Sequence, residues 1–578
     1  MTKMNLAITT CFNTIASMKP AFAAWLIVTM LGGPSSAAAM QRPAKTAIHG
    51  IVLTKGTNEP IAGAWVILDK YSAKESLYAA YLTIPITPSA TTDRDGRFEI
   101  HDIDPASYKL TIRRDGFARQ VYGQRVENGN VPPIELSAGE SRDLVIHLTP
   151  AGSLSGVIRD ASGRPVAGTN VDLIRRSYTS KGSRSFDTVS QTRTSDRGEY
   201  RFYWITPGPY YVRAGEGPYV DSSTGIEQYD EAVRRGSNEV RTEYPKTYYP
   251  GVREVEKAIA IDVQPRSELR GMDITVERRR QFHVRVDVID TSTGQPPLDG
   301  MVSVMGSAGN GYGEPDVRLD RDLAPGIYWI GFGAGMLGES HSTPATPMAF
   351  AKVVVTDSDV ELTLRAVLPP VIKGRVTVDG ELPVSPKLDE VSIQAQTVGD
   401  VQFEGLSFSY AKADADGTFA LNGIPNGVFR VAPLGLPPGF YLKEARLDGV
   451  DALNSPASFS NASRLDIVIS SRGGQIDGTV RDDRSNPMPN VQAVLVPDSP
   501  RNRQELFQSA DTDFEGNFTM TDIAPGDYRL FAWEALEPYA WFDPEVLAHF
   551  ESSSKPVHVS ESSVQKVQLR MIPDGGAK

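Results

Sequence analysis

The chain has 578 residues, 40% of them hydrophobic and 22% charged, with 51 Gly, 41 Pro and a formal net charge of −12. It is too long for a single core and too apolar for a disordered chain, and its glycine and proline content favours turns and strands. An acidic surface with no block of Lys or Arg large enough to reverse it locally argues against nucleic acid and anionic membranes as partners.

Residues 1–39 carry only two charged side chains, Lys3 and Lys19. The apolar run Ala21–Leu31 is followed by Gly-Gly-Pro and then Ala37-Ala38-Ala39, which predicts a secretory signal peptide over 1–39. The run is too short to span a bilayer comfortably, and no later segment is apolar enough to cross as a helix, so no membrane span is expected after cleavage. The one cysteine, Cys11, lies inside the signal. The mature chain is therefore expected to have no disulfide, thiol nucleophile or thiolate metal site. The expected location is the periplasm, the outer surface or the medium.

The remainder is one unit written about five times. Copy one, 46–150, opens with His49-Gly-Ile-Val-Leu, continues with Pro60-Ile-Ala-Gly-Ala-Trp-Val-Ile-Leu68, and closes with Thr92-Asp-Arg-Asp-Gly-Arg-Phe and Asp104-Pro-Ala-Ser-Tyr108. Copy two, 151–280, repeats this with Ser155-Gly-Val-Ile-Arg-Asp, Pro165-Val-Ala-Gly, Ser195-Asp-Arg-Gly-Glu-Tyr and Pro207-Gly-Pro-Tyr210, and adds a tyrosine-rich insertion at 215–252. Copy three, 281–365, is degenerate and keeps mainly Leu323-Ala-Pro-Gly-Ile-Tyr328. Copy four, 366–472, has Lys373-Gly-Arg-Val and Asp414-Ala-Asp-Gly-Thr-Phe419. Copy five, 473–573, has Asp477-Gly-Thr-Val, Pro487-Met-Pro-Asn and Asp511-Thr-Asp-Phe-Glu-Gly-Asn-Phe518. The marker prolines Pro105, Pro207, Pro325, Pro425 and Pro525 recur about every 100 residues, the length of one small domain. Alternating apolar residues between Asp-x-x-Gly and Pro-Gly turns predict strand, turn, strand, and hence an all-β chain of small, seven-stranded-type β-sandwiches.

In the fifth copy the alternation places Phe518 and Met520 inward, returns Ile523 to the core, and lines the next strand with Tyr528, Leu530 and Ala532. Asp511 or Asp513 is expected to accept backbone N–H groups across the turn, with Gly516 at positive φ.

These motifs resemble the carboxypeptidase regulatory-like domain. The resemblance implies a transthyretin-like (prealbumin-like, broadly Ig-like) sandwich that groups with carbohydrate-binding-like modules. It covers nearly all of 46–573 and is weakest in copy three. The namesake domain is a non-catalytic companion to a peptidase, so no activity is implied.

Enzyme chemistry finds little footing. A zinc carboxypeptidase needs His-x-x-Glu and a later His; His558-Val-Ser-Glu561 fits the first part, but no histidine follows it. Gly338-Glu-Ser-His-Ser342 lacks the second glycine of a nucleophile elbow. Asp511, Asp513 and Glu515 fall at the first alternate positions of a calcium loop, yet their flanks alternate as strands, so a turn is expected and a weak calcium site is the remaining cofactor possibility. Two aromatic groups exceed what a sandwich needs: Tyr244, Tyr248 and Tyr249 in the insertion, where 226–236 reads as a short helix, and Trp533, Tyr539 and Trp541 before a helix starting at Asp543-Pro544. Exposed, they would stack on sugars or anchor a protein; buried, they would cap sandwiches or join them. Three functions follow: a non-enzymatic exported binding or scaffold protein, a carbohydrate-binding protein, or an accessory subunit of a secreted hydrolase. The expected partner is a cell-surface or periplasmic protein or polysaccharide.

Overall fold

The computed structural model describes residues 46–71, 87–125, 131, 133–179, 182–215, 242–306, 311–314, 317–333, 347–380, 388–397, 408–422, 428–458, 460 and 463–573. The signal peptide expected at 1–39, the helix expected at 226–236 and the stretch 338–342 lie outside the described residues. Lys45–Lys578 forms one compact unit.

Within it, five two-sheet sandwiches follow one another. In the first, Thr46–Thr54 is the middle strand of a three-stranded sheet, antiparallel to Arg97–Ile103 and parallel to Ser141–Leu148. The facing sheet holds Ser89–Thr91, Trp65–Lys70 and Ala106–Arg113 in that order. Ile48, Val52, Leu68, Phe98, Leu110 and Leu148 close one core between them. The plan recurs in every copy. The opening strands Gly152–Asp160, Phe282–Asp290, Val371–Asp379 and Gly474–Arg481 each lie between an antiparallel hairpin strand and a parallel closing strand. Each copy has its own core cluster. The third, read from sequence as degenerate, has among the described residues a full three-stranded and four-stranded sheet around one core.

Four sequence features build the unit. Gly50, Gly374 and Gly478 pair across the sheet with Phe98, Phe419 and Phe518, whose rings lie over the glycine. A Cβ on Gly50 would sit 2.6 Å from both the Phe98 ring and the Leu144 carbonyl oxygen. In the third copy this pair becomes Val286 opposite Leu319, both fully buried. The hairpin turn glycines Gly96, Gly198, Gly417 and Gly516 have φ between +73° and +82°, as their spacing predicts.

The threonine before the turn is buried and staples the Pro-x-x-Gly loop. Thr92 Oγ1 donates to the Ile61 carbonyl at 2.6 Å and accepts from the Ala64 N–H at 2.8 Å. Thr194 and Thr512 do the same. Finally, the tyrosine after each marker proline donates its hydroxyl to the carbonyl four residues back: Tyr108 to Asp104, Tyr210 to Thr206, Tyr328 to Ala324 and Tyr528 to Ala524, at 2.7–2.9 Å. Copy four has the buried Phe429 here and no hydroxyl to place.

The array is not a simple string. The fifth sandwich meets the first, the second and the fourth. Arg125 of the first reaches Glu534 at 3.3 Å and the Pro489 carbonyl at 2.8 Å. Arg175 of the second forms a two-bond pair with Glu537 at 2.9 and 3.0 Å. Lys443 of the fourth reaches Glu561 at 3.1 Å.

Candidate functional site

The predicted aromatics fall into separate clusters, most of them packed. Trp533 and Trp541 are only 2% and 6% exposed, inside a satellite core with Phe531, Leu547, Phe550 and Ile572. Trp533 stacks on Phe531 at 4.8 Å and meets the edge of Phe550 at 5.7 Å. Rings enclosed in this way have no face left for a ligand, so of the two alternatives the sequence left open Trp533 and Trp541 take the buried one, packing rather than stacking on a ligand. Tyr539 is 40% exposed but leans on Trp541 at 5.6 Å. Tyr248 is buried with Ile174 and Tyr211. Tyr244 and Tyr249 pack against the second core, and the Arg278 guanidinium covers Tyr244 at 5.1 Å.

The tryptophan cluster serves as a joint. Asp543 caps the helix Pro544–Phe550 by accepting from the Glu545 N–H at 2.9 Å. The same carboxylate accepts from Arg184 Nε of the second sandwich at 2.7 Å, and Arg184 also pairs with Glu545. Gly182 lies directly against Phe542, with no room for a side chain. Burial alone would raise the Asp543 carboxyl, but the hydrogen bond from Arg184 and the Glu545 N–H outweigh it and hold the group below its usual range.

The acidic turn is architectural in its contacts. Asp513 Oδ1 accepts from the Glu515 and Asn517 N–H groups at 2.9 and 2.7 Å, and Oδ2 accepts from the Asn517 side chain at 3.2 Å. Asp93 repeats the pattern with Asp95 and Arg97. Asp511 ends a strand, opposite Gln492. On the first sandwich, His101 and His49 lie 3.0 and 3.5 Å from Glu99. Among the described residues, no three His, Cys, Asp or Glu groups are placed to share a metal ion.

Sequence reasoning missed an open cleft between the fourth and fifth sandwiches. It encloses about 380 Å³, floored by Phe440, Leu442, Leu506 and Met520, with Ser509 and Thr519 on its wall. A second hollow of about 310 Å³ continues it past Tyr441 to Lys443 and Glu561. Gly439 N–H donates to Asp522 at 3.1 Å and Arg430 to the Asn502 carbonyl at 2.5 Å, which fixes the two walls. At the charged end, Arg472 and then Lys443 push the Asp379 carboxyl down to about 2, and both cations also reach Glu561. Burial pushes the Tyr528 hydroxyl up to about 12. No periodic signal marks a cleft between repeats, because its walls come from two different copies.

These features define a class, a tandem β-sandwich scaffold. Residues 47–149 match the carboxypeptidase regulatory-like domain, so the first sandwich belongs to that family, and the other four repeat its strand plan. No curated protein matches the chain. Among solved structures, the TIE protein of Bacillus anthracis is 11% identical over 72% of this chain and 73% of its own, with a TM-score of 0.15. The minor pilin of Streptococcus agalactiae is 15% identical over 41% of this chain and 96% of its own, at a TM-score of 0.19. The shaft pilin of Lactobacillus rhamnosus GG is 10% identical over 41% of this chain and 97% of its own, at 0.16. Scores of this size carry no argument about function. No described helix is long and apolar enough to cross a membrane.

Proposed function

We propose that this chain is an exported, non-catalytic binding scaffold whose recognition site is the cleft between the fourth and fifth sandwiches. The observation that carries the reading is a cleft, polar over most of its exposed lining with apolar side chains at its base, left open between two sandwiches that are otherwise hydrogen-bonded together. The polar walls, with Ser509, Thr519 and Asp522, and the charged end at Lys443 and Glu561 suit the main chain and polar side chains of an extended segment of a periplasmic or cell-surface protein. An accessory role beside a hydrolase is the same reading with the hydrolase as partner.

The test is Ser509→Trp, which fills the cleft from an exposed wall position. Tagged wild type and variant are used to capture proteins from periplasmic and surface extracts, with thermal midpoints measured alongside. A protein retained by the wild type and lost by an equally stable variant supports the proposal. Equal capture by both refutes it.

A further inference from the structure

The second sandwich exposes two aromatic rings that its core does not use. In the strand Glu199–Ile205, Tyr200, Phe202 and Ile205 point inward, whereas Tyr203 is 61% and Trp204 56% exposed. Trp204 also has φ +53°, at a bulge where the ladder to Gly152–Asp160 shifts register. The same bulge residue, six after the turn glycine, is Asp102 in the first copy and Asp522 in the fifth, with φ +58° and +60°. In the fourth copy the sequence has Gly423 there. Asp and Gly enter the left-handed region readily; a bulky residue does so at a cost, and an indole in water adds a second. The residue before it is His101, Asn422 or Thr521 in those copies, never Phe, Tyr or Trp. The architecture therefore asks for neither ring.

The surroundings indicate what the rings meet. The Arg201 guanidinium covers one face of the Tyr203 ring, 4.7 Å from its centre, while the ring as a whole stays 61% exposed, and it pairs with Glu268 at 2.9 Å. Arg270 holds the same Glu268 oxygen at 2.9 Å. Arg270 foremost, and then Arg201, keep that carboxyl below its usual range, so it stays an acceptor. Two rings are far too small for a protein interface, which buries about 800 Å² on each partner. A pyranose fits better: its C–H face is flat and apolar, and its edge carries hydroxyls for fixed donors and acceptors. We propose that Tyr203 and Trp204 each present a ring for stacking on pyranose units of a polysaccharide, with Arg201, Glu268 and Arg270, which are linked to the Tyr203 ring, hydrogen-bonding the hydroxyls there. This site is separate from the cleft and does not depend on it.

The experiment uses the full chain, Trp204→Asp and Tyr203→Thr, which install the residues the fifth copy carries. Binding is measured by co-sedimentation with cellulose, chitin and xylan, and by affinity electrophoresis in β-glucan, pectin and starch. The wild type is expected to bind at least one of them. Each variant should bind it roughly tenfold more weakly or worse, the size of one lost stacking contact. Trp204→Asp should melt no lower than wild type. Three results would overturn the proposal: no binding by wild type across the panel, binding undiminished in both variants, or a lower thermal midpoint for Trp204→Asp, which would show that the fold does use the ring.

Discussion

Replacing Gly50 with Ala tests the reading of the repeated glycine. The new Cβ would lie 2.6 Å from both the Phe98 ring and the Leu144 carbonyl oxygen, and Phe98 is only 3% exposed. The ring cannot swing into solvent without opening the core, so strain of about 1–3 kcal/mol is expected. Gly50 does not sit at positive φ, so Ala also restricts the unfolded chain, offsetting about 0.4–1 kcal/mol. The net loss is about 1–2 kcal/mol, which raises local opening of the first sandwich about 5–30-fold. Hydrogen exchange read on peptides from 46–150, with the fourth sandwich as internal reference, measures this. The third copy supplies the rescue, since Val286 and Leu319 fill the same space. Gly50→Val with Phe98→Leu should be more stable than either single variant. Wild-type protection in Gly50→Ala, or no gain in the double variant, would refute the overlay of ring on glycine.

Other outcomes follow from the contacts. Tyr528→Phe should cost about 1 kcal/mol by removing the hydrogen bond to Ala524, read from thermal unfolding of the fifth sandwich. Trp533→Phe should cost less than about 2 kcal/mol, because removing an indole N–H that is buried without an acceptor among the described residues offsets the cavity the smaller ring leaves; a larger loss in thermal unfolding would contradict this. Arg184→Ala should raise hydrogen exchange at both Asn170–Tyr178 and Pro544–Phe550, whereas a response in only one would deny their coupling. Asp379 is lowered in the folded state, so its contribution is full above the unfolded value of about 4 and is lost as pH falls towards the folded value. Acid titration should therefore loosen the end of the fourth sandwich where Asp379 holds Lys443 and Arg472 in the wild type, and Asp379→Asn should abolish that step.

Much of the fold was legible because the repeat states each rule several times. Gly96, Gly198, Gly417 and Gly516 take the left-handed turn predicted for them, and Phe518, Met520, Ile523 and Tyr528 face inward as their alternation predicts. The third copy was hard to read because Val286 and Leu319 replace the glycine–aromatic pair, and two changes that cancel in space look like erosion in sequence. Thr92, Thr194 and Thr512 were not singled out, because a threonine beside a turn carries no sequence sign that its hydroxyl is an internal staple. The site was much less legible. Aromatic content does not say which side of a joint a ring lies on, so Trp533 and Trp541 read as ligand contacts while packing decides their place. Tyr203 and Trp204 hid inside a run that also supplies core residues, and only the bulge turns both outward.

The parallel pairing of opening and closing strands has a mechanical consequence. In the first sandwich Thr46–Thr54 runs alongside Ser141–Leu148 over eight residue pairs, and the other copies are closed in the same sense. Tension applied along the chain pulls such neighbours in opposite directions along their length. Every bridging hydrogen bond is then loaded in shear together, rather than peeled one at a time. Unfolding under force follows the barrier rather than the equilibrium stability. Each sandwich is thus built as a clasp against tension along the chain.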